Sequence, residues 1–247
     1  MSLIEKNILS SAIHKYYLAG ECESVLWTIE NEILNIDFKP TNTSGVIGNI
    51  KVNNFPLQDC KLGIFETSKL LKLLNVTHDY LQLHVAGNKK VFNKLYVEDA
   101  SFNLEYNLSD ILLISKVQSI NELPPHFLNT NLEIGDIDNL IKAKNALDNK
   151  KVVLKSTKNL EQEDVLEFIF GEESTYSNRL TFSLENVTFE SQEEVEIPFN
   201  SEIFAKILQV NKDMDTYNIT LYKEGLLKLE FWSKEIQSVY YLVRLDD

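Results

Sequence analysis

The sequence predicts an α+β protein made of two similar halves, each with two helices packed on antiparallel β-sheets. Three observations lead there. A strand-cap-helix unit occurs twice without a gap, from Ile64 to Val76 and from Pro198 to Val210. Phe65 falls on Phe199, Thr67 on Ser201, Lys72 on Lys206, Leu74 on Leu208 and Val76 on Val210. Copies about half a chain apart imply a duplicated domain. The hydrophobic period also switches between helical and strand values in the same order in both halves. Finally, 247 residues with 44% hydrophobic content supply core for one large domain or two ordinary ones.

In the first half, Ser2-Leu3-Ile4-Glu5 has the pattern of a capping box. Ile4, Ile8, Leu9, Ala12, Ile13 and Tyr16 follow at helical spacing, and Gly20 is expected to stop the helix. Short strands are predicted at Leu26–Ile29, Ile33–Phe38, Val46–Val52 and Lys61–Phe65, separated by turn residues such as Asn53-Asn54. The first copy of the repeated helix comes next. Leu81, Leu83 and Val85 then alternate with polar residues as in a half-buried strand. Gly87-Asn88 is a turn, and Val91–Val97 with Phe102–Tyr106 completes a meander.

Residues from about 111 to 131 read as an extended connector between a first domain (1–110) and a second (132–247). Pro124-Pro125 blocks helix and central strand alike. Beyond it, Leu132-Glu133-Ile134 is a predicted strand and Asp136 a predicted N-cap, with Ile137, Leu140 and Ile141 forming the helix stripe. Strands are expected at Val152–Lys155, Val165–Phe170, Leu180–Leu184 and Val195–Ile197. The second repeated helix, the alternating Tyr217, Ile219 and Leu221, and the segments Leu227–Trp232 and Val239–Val243 close the chain.

The formal net charge is −13, which argues against an ordinary nucleic-acid binder unless lysines are segregated on one surface. No apolar run approaches the ~18 residues of a membrane span, and Met1–Lys6 has no signal-peptide pattern. A cytoplasmic protein with no membrane partner is expected. Cys22 and Cys60 lie far apart, with no metal-ligand spacing and no disulfide framework. They read as small apolar fillers.

Motifs for chemistry are missing. No GxGxxG, GxxxxGK[ST] or GxSxG occurs, and the histidines His14, His78, His84 and His126 form no metal pattern. Gly87-Asn88-Lys89-Lys90 is a hairpin turn, and Gly171-Glu172-Glu173-Ser174 an acidic loop. Asp213/Asp215 and Glu193-Glu194 are the spacing of solvated loop charges. No catalytic residue, metal or cofactor is expected.

The lysines carry more information. At about 100° per residue, Lys69 and Lys72 lie opposite Leu70, Leu71 and Leu74, and Lys206 lies opposite Ile203, Phe204 and Ile207. Lys6 flanks the polar face of the first helix, and Lys142 lies off the Ile137/Leu140/Ile141 stripe. Lys15, Lys144 and Lys212 fall at or near an apolar edge, so each must snorkel or lie past the helix end. Glu5, Glu66, Asp136, Asp138 and Glu202 crowd the first turns, where the helix dipole favours them. One such helix is an ordinary solvated amphipathic helix. Four of them in a repeated plan within an acidic chain suggest a shared basic surface.

The repeat, the element order, the Leu123–Leu128 connector followed by Leu132–Asp136, and the closing strands Leu227–Trp232 and Tyr240–Val243 resemble the DNA polymerase sliding clamps. The resemblance is nearest to those of T-even-type bacteriophages and extends to the proliferating cell nuclear antigen. It covers essentially the whole chain. It implies a DNA-clamp fold assembling into a homotrimeric ring, helices lining the hole and sheets outside. Double-stranded DNA would pass through, with the replicative DNA polymerase tethered and a clamp-loader ATPase opening the ring. Lys6, Lys15, Lys69, Lys72, Lys142, Lys144, Lys206 and Lys212 are then the expected DNA-facing set. A partner-peptide pocket is implied at Leu123, Phe127, Leu128, Tyr241 and Val243. Arg244 stands where cellular clamps tend to have Pro, which implies a different pocket floor. Subunits would join through Phe102, Leu104 and Tyr106 in the first domain and Leu180, Phe182 and Leu184 in the second. The competing readings are an acidic β-rich virion or scaffold component without a DNA role, and an enzyme assembled from scattered carboxylates.

Overall fold

In a computed structural model of the chain, the helical spacing near the N-terminus becomes α1 (Lys6–Tyr17), preceded by a two-residue strand β1 (Ile4–Glu5). The structure describes residues 3–41, 43, 45–88, 91–117, 120, 122–147, 149–171 and 177–246. α1 buries Leu9, Ala12, Ile13 and Tyr16, as its spacing demands. Glu5 is its N-cap and makes no side-chain cap bond, so it is not the third-position acid of a capping box. Ser2 lies outside the described residues. The helix closes on Leu18, whose left-handed backbone (φ 47°) turns its N–H onto the His14 carbonyl, and Gly20 ends the short turn that follows.

Strands β2 (Val25–Glu30), β3 (Ile33–Phe38), β4 (Val46–Val52) and β5 (Cys60–Ile64) come next. Val25, Trp27, Ile29, Leu34, Ile36 and Phe38 alternate inward, as period-two patterning requires. Trp27 meets Phe55 edge-on at 6.0 Å. Phe38 pairs with Gly48 across β3 and β4, and its ring occupies the space a Cβ on Gly48 would need, 2.2 Å away. Then follow α2 (Thr67–Leu74), β6 (Tyr80–Asn88), β7 (Val91–Glu98) and β8 (Asn103–Asn107).

The later elements are β9 (His126–Leu132), α3 (Ile134–Ala146), β10 (Lys151–Lys158), β11 (Asp164–Gly171) and β12 (Arg179–Leu184). β13 (Glu196–Asn200), α4 (Ser201–Val210), β14 (Thr216–Tyr222), β15 (Leu226–Trp232) and β16 (Ile236–Val243) complete the chain. Two expectations are corrected here. The extended connector does not reach residue 131, because His126–Leu132 pairs antiparallel with β14, Leu132 opposite Tyr217. Ile134 is helical rather than strand. Glu133 is the N-cap of α3, and Asp136 sits at the third position, its Oδ2 accepting from the Glu133 N–H at 2.8 Å.

The chain forms two compact units, Met1–Ser119 with Ser233–Ser238, and Ile120–Trp232 with Val239–Asp247. The strand orders repeat. The first half contains β1-β6-β7-β8 and β5-β2-β3-β4, and the second β9-β14-β15-β16 and β13-β10-β11-β12. Each strand of the first set has its counterpart eight places on. The duplication read from one helix therefore extends to every element.

The two copies of the repeated helix are capped differently. Asn200 caps α4 locally, its Oδ1 accepting from the N–H groups of Glu202 (3.0 Å) and Ile203 (3.1 Å). At α2 the N-cap is Glu66, in a left-handed conformation with φ 51° and no side-chain capping bond of its own. Glu23 serves instead, its carboxylate accepting from Ser68 N–H at 3.0 Å and its carbonyl from the Thr67 hydroxyl at 2.9 Å. Either arrangement satisfies N–H groups that a helix start leaves unpaired.

Candidate nucleic-acid interface

Within the first unit α1 packs against α2, and within the second α3 packs against α4. Each helix buries its apolar stripe, which leaves one polar face per helix. On α2, Lys69 and Lys72 are exposed, opposite the buried Leu70, Leu71 and Leu74. On α3, Lys142 is exposed and Lys144 half-buried. Lys144 and Lys206 line one furrow of about 290 Å³ between α3 and α4, with Asn145 and Gln209 beside them.

Two of the expected basic residues do something else. Lys15 is fully buried, and its ammonium donates to Ser11 Oγ at 2.7 Å. It does not snorkel to the surface and leaves the DNA-facing set. Lys6 reaches back to the end of α2 and donates to the Thr77 carbonyl at 2.6 Å and to that of Asn75 at 3.3 Å. A cation there satisfies carbonyls at the negative end of the helix dipole.

The acids of these helices are partners of the lysines as well as dipole groups. Glu66 lies 3.5 Å from Lys69, and Glu202 2.8 Å from Lys206. Lys212, past the end of α4, reaches Asp138 on α3 at 2.6 Å. The Lys212 ammonium holds the Asp138 carboxyl below the usual carboxylate range, with Lys142 adding to the effect. The i,i+3 and i,i+4 pairs were visible as spacings; the pair between helices was not.

The expected pocket residues divide. Leu123 is 37% and Val243 54% exposed. Tyr241 is half-buried, with Lys228 Nζ 6.0 Å from its ring centroid. Phe127 and Leu128 are fully buried in β9 and cannot wall an open groove. Phe127 stacks on Phe189 at 4.8 Å, and Leu128 lies opposite Leu221. Arg244 covers the β14–β15 turn: its N–H donates to Gly225 O at 2.7 Å, and its Cδ would lie 2.4 Å from a Cβ at Gly225.

The expected joining strands, β8 and β12, each end a sheet. Their apolar side chains point inward more than anticipated. Tyr106 is buried, and its hydroxyl donates to the Phe65 carbonyl at the β5–α2 corner. Leu184 is buried as well, and Phe182 packs 6.1 Å from Phe168. Leu104 and Leu180 are half-buried, and Phe102 is 42% exposed. Asn103, Glu105 and Asn107 on β8, and Arg179, Thr181 and Ser183 on β12, are exposed. What these edges offer a neighbouring strand is backbone and polar side chains.

Both cysteines are free thiols, and burial pushes each up to about 11, so neither is a thiolate near neutrality. Among the described residues no cluster of three His, Cys, Asp or Glu could hold a metal ion, and no helix is long and apolar enough to cross a membrane.

Two four-stranded orders repeated in each unit, with two helices per unit, define an α+β clamp fold of the sliding-clamp type. The solved proliferating cellular nuclear antigen from Entamoeba histolytica superposes with a TM-score of 0.74, over 98% of this chain and 96% of that one. Sequence identity between them is 16%. No protein-family model and no curated protein sequence matches.

Proposed function

We propose that the chain is a sliding clamp, a homotrimeric ring that encircles duplex DNA and tethers the replicative polymerase for processive synthesis. The observation that carries the proposal is the clamp fold, matched along 98% of the chain. The exposed lysines of α2, α3 and α4 suit the task. Point charges on flexible stems attract phosphate without reading bases, so the attraction is non-specific, salt-sensitive and compatible with sliding. A net charge of −13 disfavours DNA elsewhere on the surface.

In this reading β8 of one protomer pairs with β12 of the next, which closes both free edges. Partner peptides bind through apolar anchors beside Leu123, Tyr241 and Val243. A clamp-loader ATPase opens the ring. We further propose, from the sequence resemblance, that it is a phage-type clamp acting in the host cytoplasm.

The test is topological. Clamp loaded onto nicked circular DNA should stay bound through gel filtration and be lost once the circle is cut. Equal retention on circular and linear DNA would refute the ring. Light scattering should also give three times the chain mass; a stable monomer at micromolar concentration counts against the assembly.

A further inference from the structure

Three of the lysines on the proposed DNA face are not free ammonium groups. Lys69, Lys206 and Lys212 each lie within 3.5 Å of a carboxylate oxygen, from Glu66, Glu202 and Asp138 respectively. The three acids come from different places. Glu66 is the left-handed N-cap of α2, Glu202 lies in the first turn of α4, and Asp138 reaches across from α3. Lys72 and Lys144 have no such partner among the described residues. All three pairs keep solvent access, the lysine side chains being 64%, 24% and 38% exposed.

We infer that Glu66, Asp138 and Glu202 are tethers that compete with phosphate for these lysines and set how weakly the clamp holds DNA. The inference rests on the DNA reading proposed above. Its physical basis is exchange. A phosphate meeting Lys206 must first displace Glu202, and when it leaves the carboxylate returns. Exposed pairs are weak, so a tether lowers affinity without abolishing it. It also changes the salt response. A lysine that abandons its carboxylate leaves that carboxylate to gather a cation, which offsets part of the counterion release that drives binding. Weak, quickly exchanged contacts are what a sliding ring requires, and the acids supply them without removing the lysines.

The experiment replaces all three acids with their amides, Glu66→Gln, Asp138→Asn and Glu202→Gln, in the full chain. A matched variant, Glu161→Gln, Glu193→Gln and Glu224→Gln, removes the same charge away from the helices. Glu193 is paired with Lys223 at 2.8 Å, so the matched variant also frees a lysine. Binding to a fluorescent duplex is measured by anisotropy across a salt series, with thermal melts to verify folding. The helix variant should bind about tenfold tighter with a steeper salt dependence, and the matched variant within about twofold of the parent. Equal tightening in both variants would show a net-charge effect alone and overturn the tether. So would unchanged affinity in the helix variant. A third variant, Lys69→Glu, Lys72→Glu and Lys206→Glu, separates the two readings. If it weakens binding while the helix variant is unchanged, the tether fails and the DNA face stands. If it leaves binding unchanged, both fall.

Discussion

The side-chain amide of Asn211 lies 3.0 Å from the Tyr240 hydroxyl, and both residues are wholly buried. The same amide donates to the Ile207 carbonyl at 2.7 Å, in the last turn of α4. One side chain thus ties the end of a proposed DNA-facing helix to β16. Asn211→Ala leaves two buried polar groups without this donor and should destabilise the protein by about 1–3 kcal/mol. Urea unfolding measures this, and a loss below about 0.5 kcal/mol would show that the bond adds little.

The capping of α4 can be isolated. Asn200→Ala removes the acceptor for two N–H groups and should cost about 1 kcal/mol. Hydrogen exchange should accelerate at Glu202 and Ile203 while amides of β10 and β11 keep their protection.

The lysines should separate by position. Lys72→Glu is expected to weaken duplex binding and lower the slope of log affinity against log salt by about one. Lys15→Met should leave binding unchanged, because that ammonium is spent on Ser11 inside the unit. Equal losses from both variants would show that helix phase, rather than burial, decides which lysines matter.

Acid should act through Asp99. Burial opposes ionisation, but N–H groups of His78, Ser101 and Phe102 donate to its carboxylate and hold it well below the usual range. A folded value below the unfolded one, about 3.9, means stabilisation that is complete above that pH. It is lost as the pH falls towards the folded value. The difference in melting temperature between the parent and Asp99→Asn should therefore stay constant from about pH 7 to pH 5 and shrink below about pH 4. A gap undiminished between about pH 5 and pH 3 would assign the effect to another group.

A stop after Leu242 removes Val243 and the hydrogen bonds of Arg244 and Leu245 to Gly225 and Pro198. Stability should fall by about 0.5–1.5 kcal/mol per bond. Polymerase stimulation should fall further than retention on circular DNA.

Much of the fold was legible because it was written twice. The ungapped match of Ile64–Val76 with Pro198–Val210 marked the duplication, and alternation located the strands. What misled was local pattern read without its partners. Ser2-Leu3-Ile4-Glu5 looks like a capping box, yet Ile4 and Glu5 pair with β6 and the helix starts after them. Phe127 and Leu128 follow two prolines and look exposed, but Phe127 stacks on Phe189 and Leu128 pairs opposite Leu221, both far along the chain. Lys15 carries a charge that patterning sends outward, and only three-dimensional packing shows it turned onto Ser11. The Asp138–Lys212 pair joins two helices and has no signature in spacing.

β8 and β12 also bear on how a single chain behaves in solution. Each ends its sheet, and an end strand is a template on which an extended peptide could stack. Their outward residues, Asn103, Glu105 and Asn107 on one and Arg179, Thr181 and Ser183 on the other, are polar throughout. Polar side chains along an edge disfavour indiscriminate amyloid-like growth, and if the proposed β8–β12 pairing holds, the lifetime of an unassembled chain is set by how quickly those two edges meet.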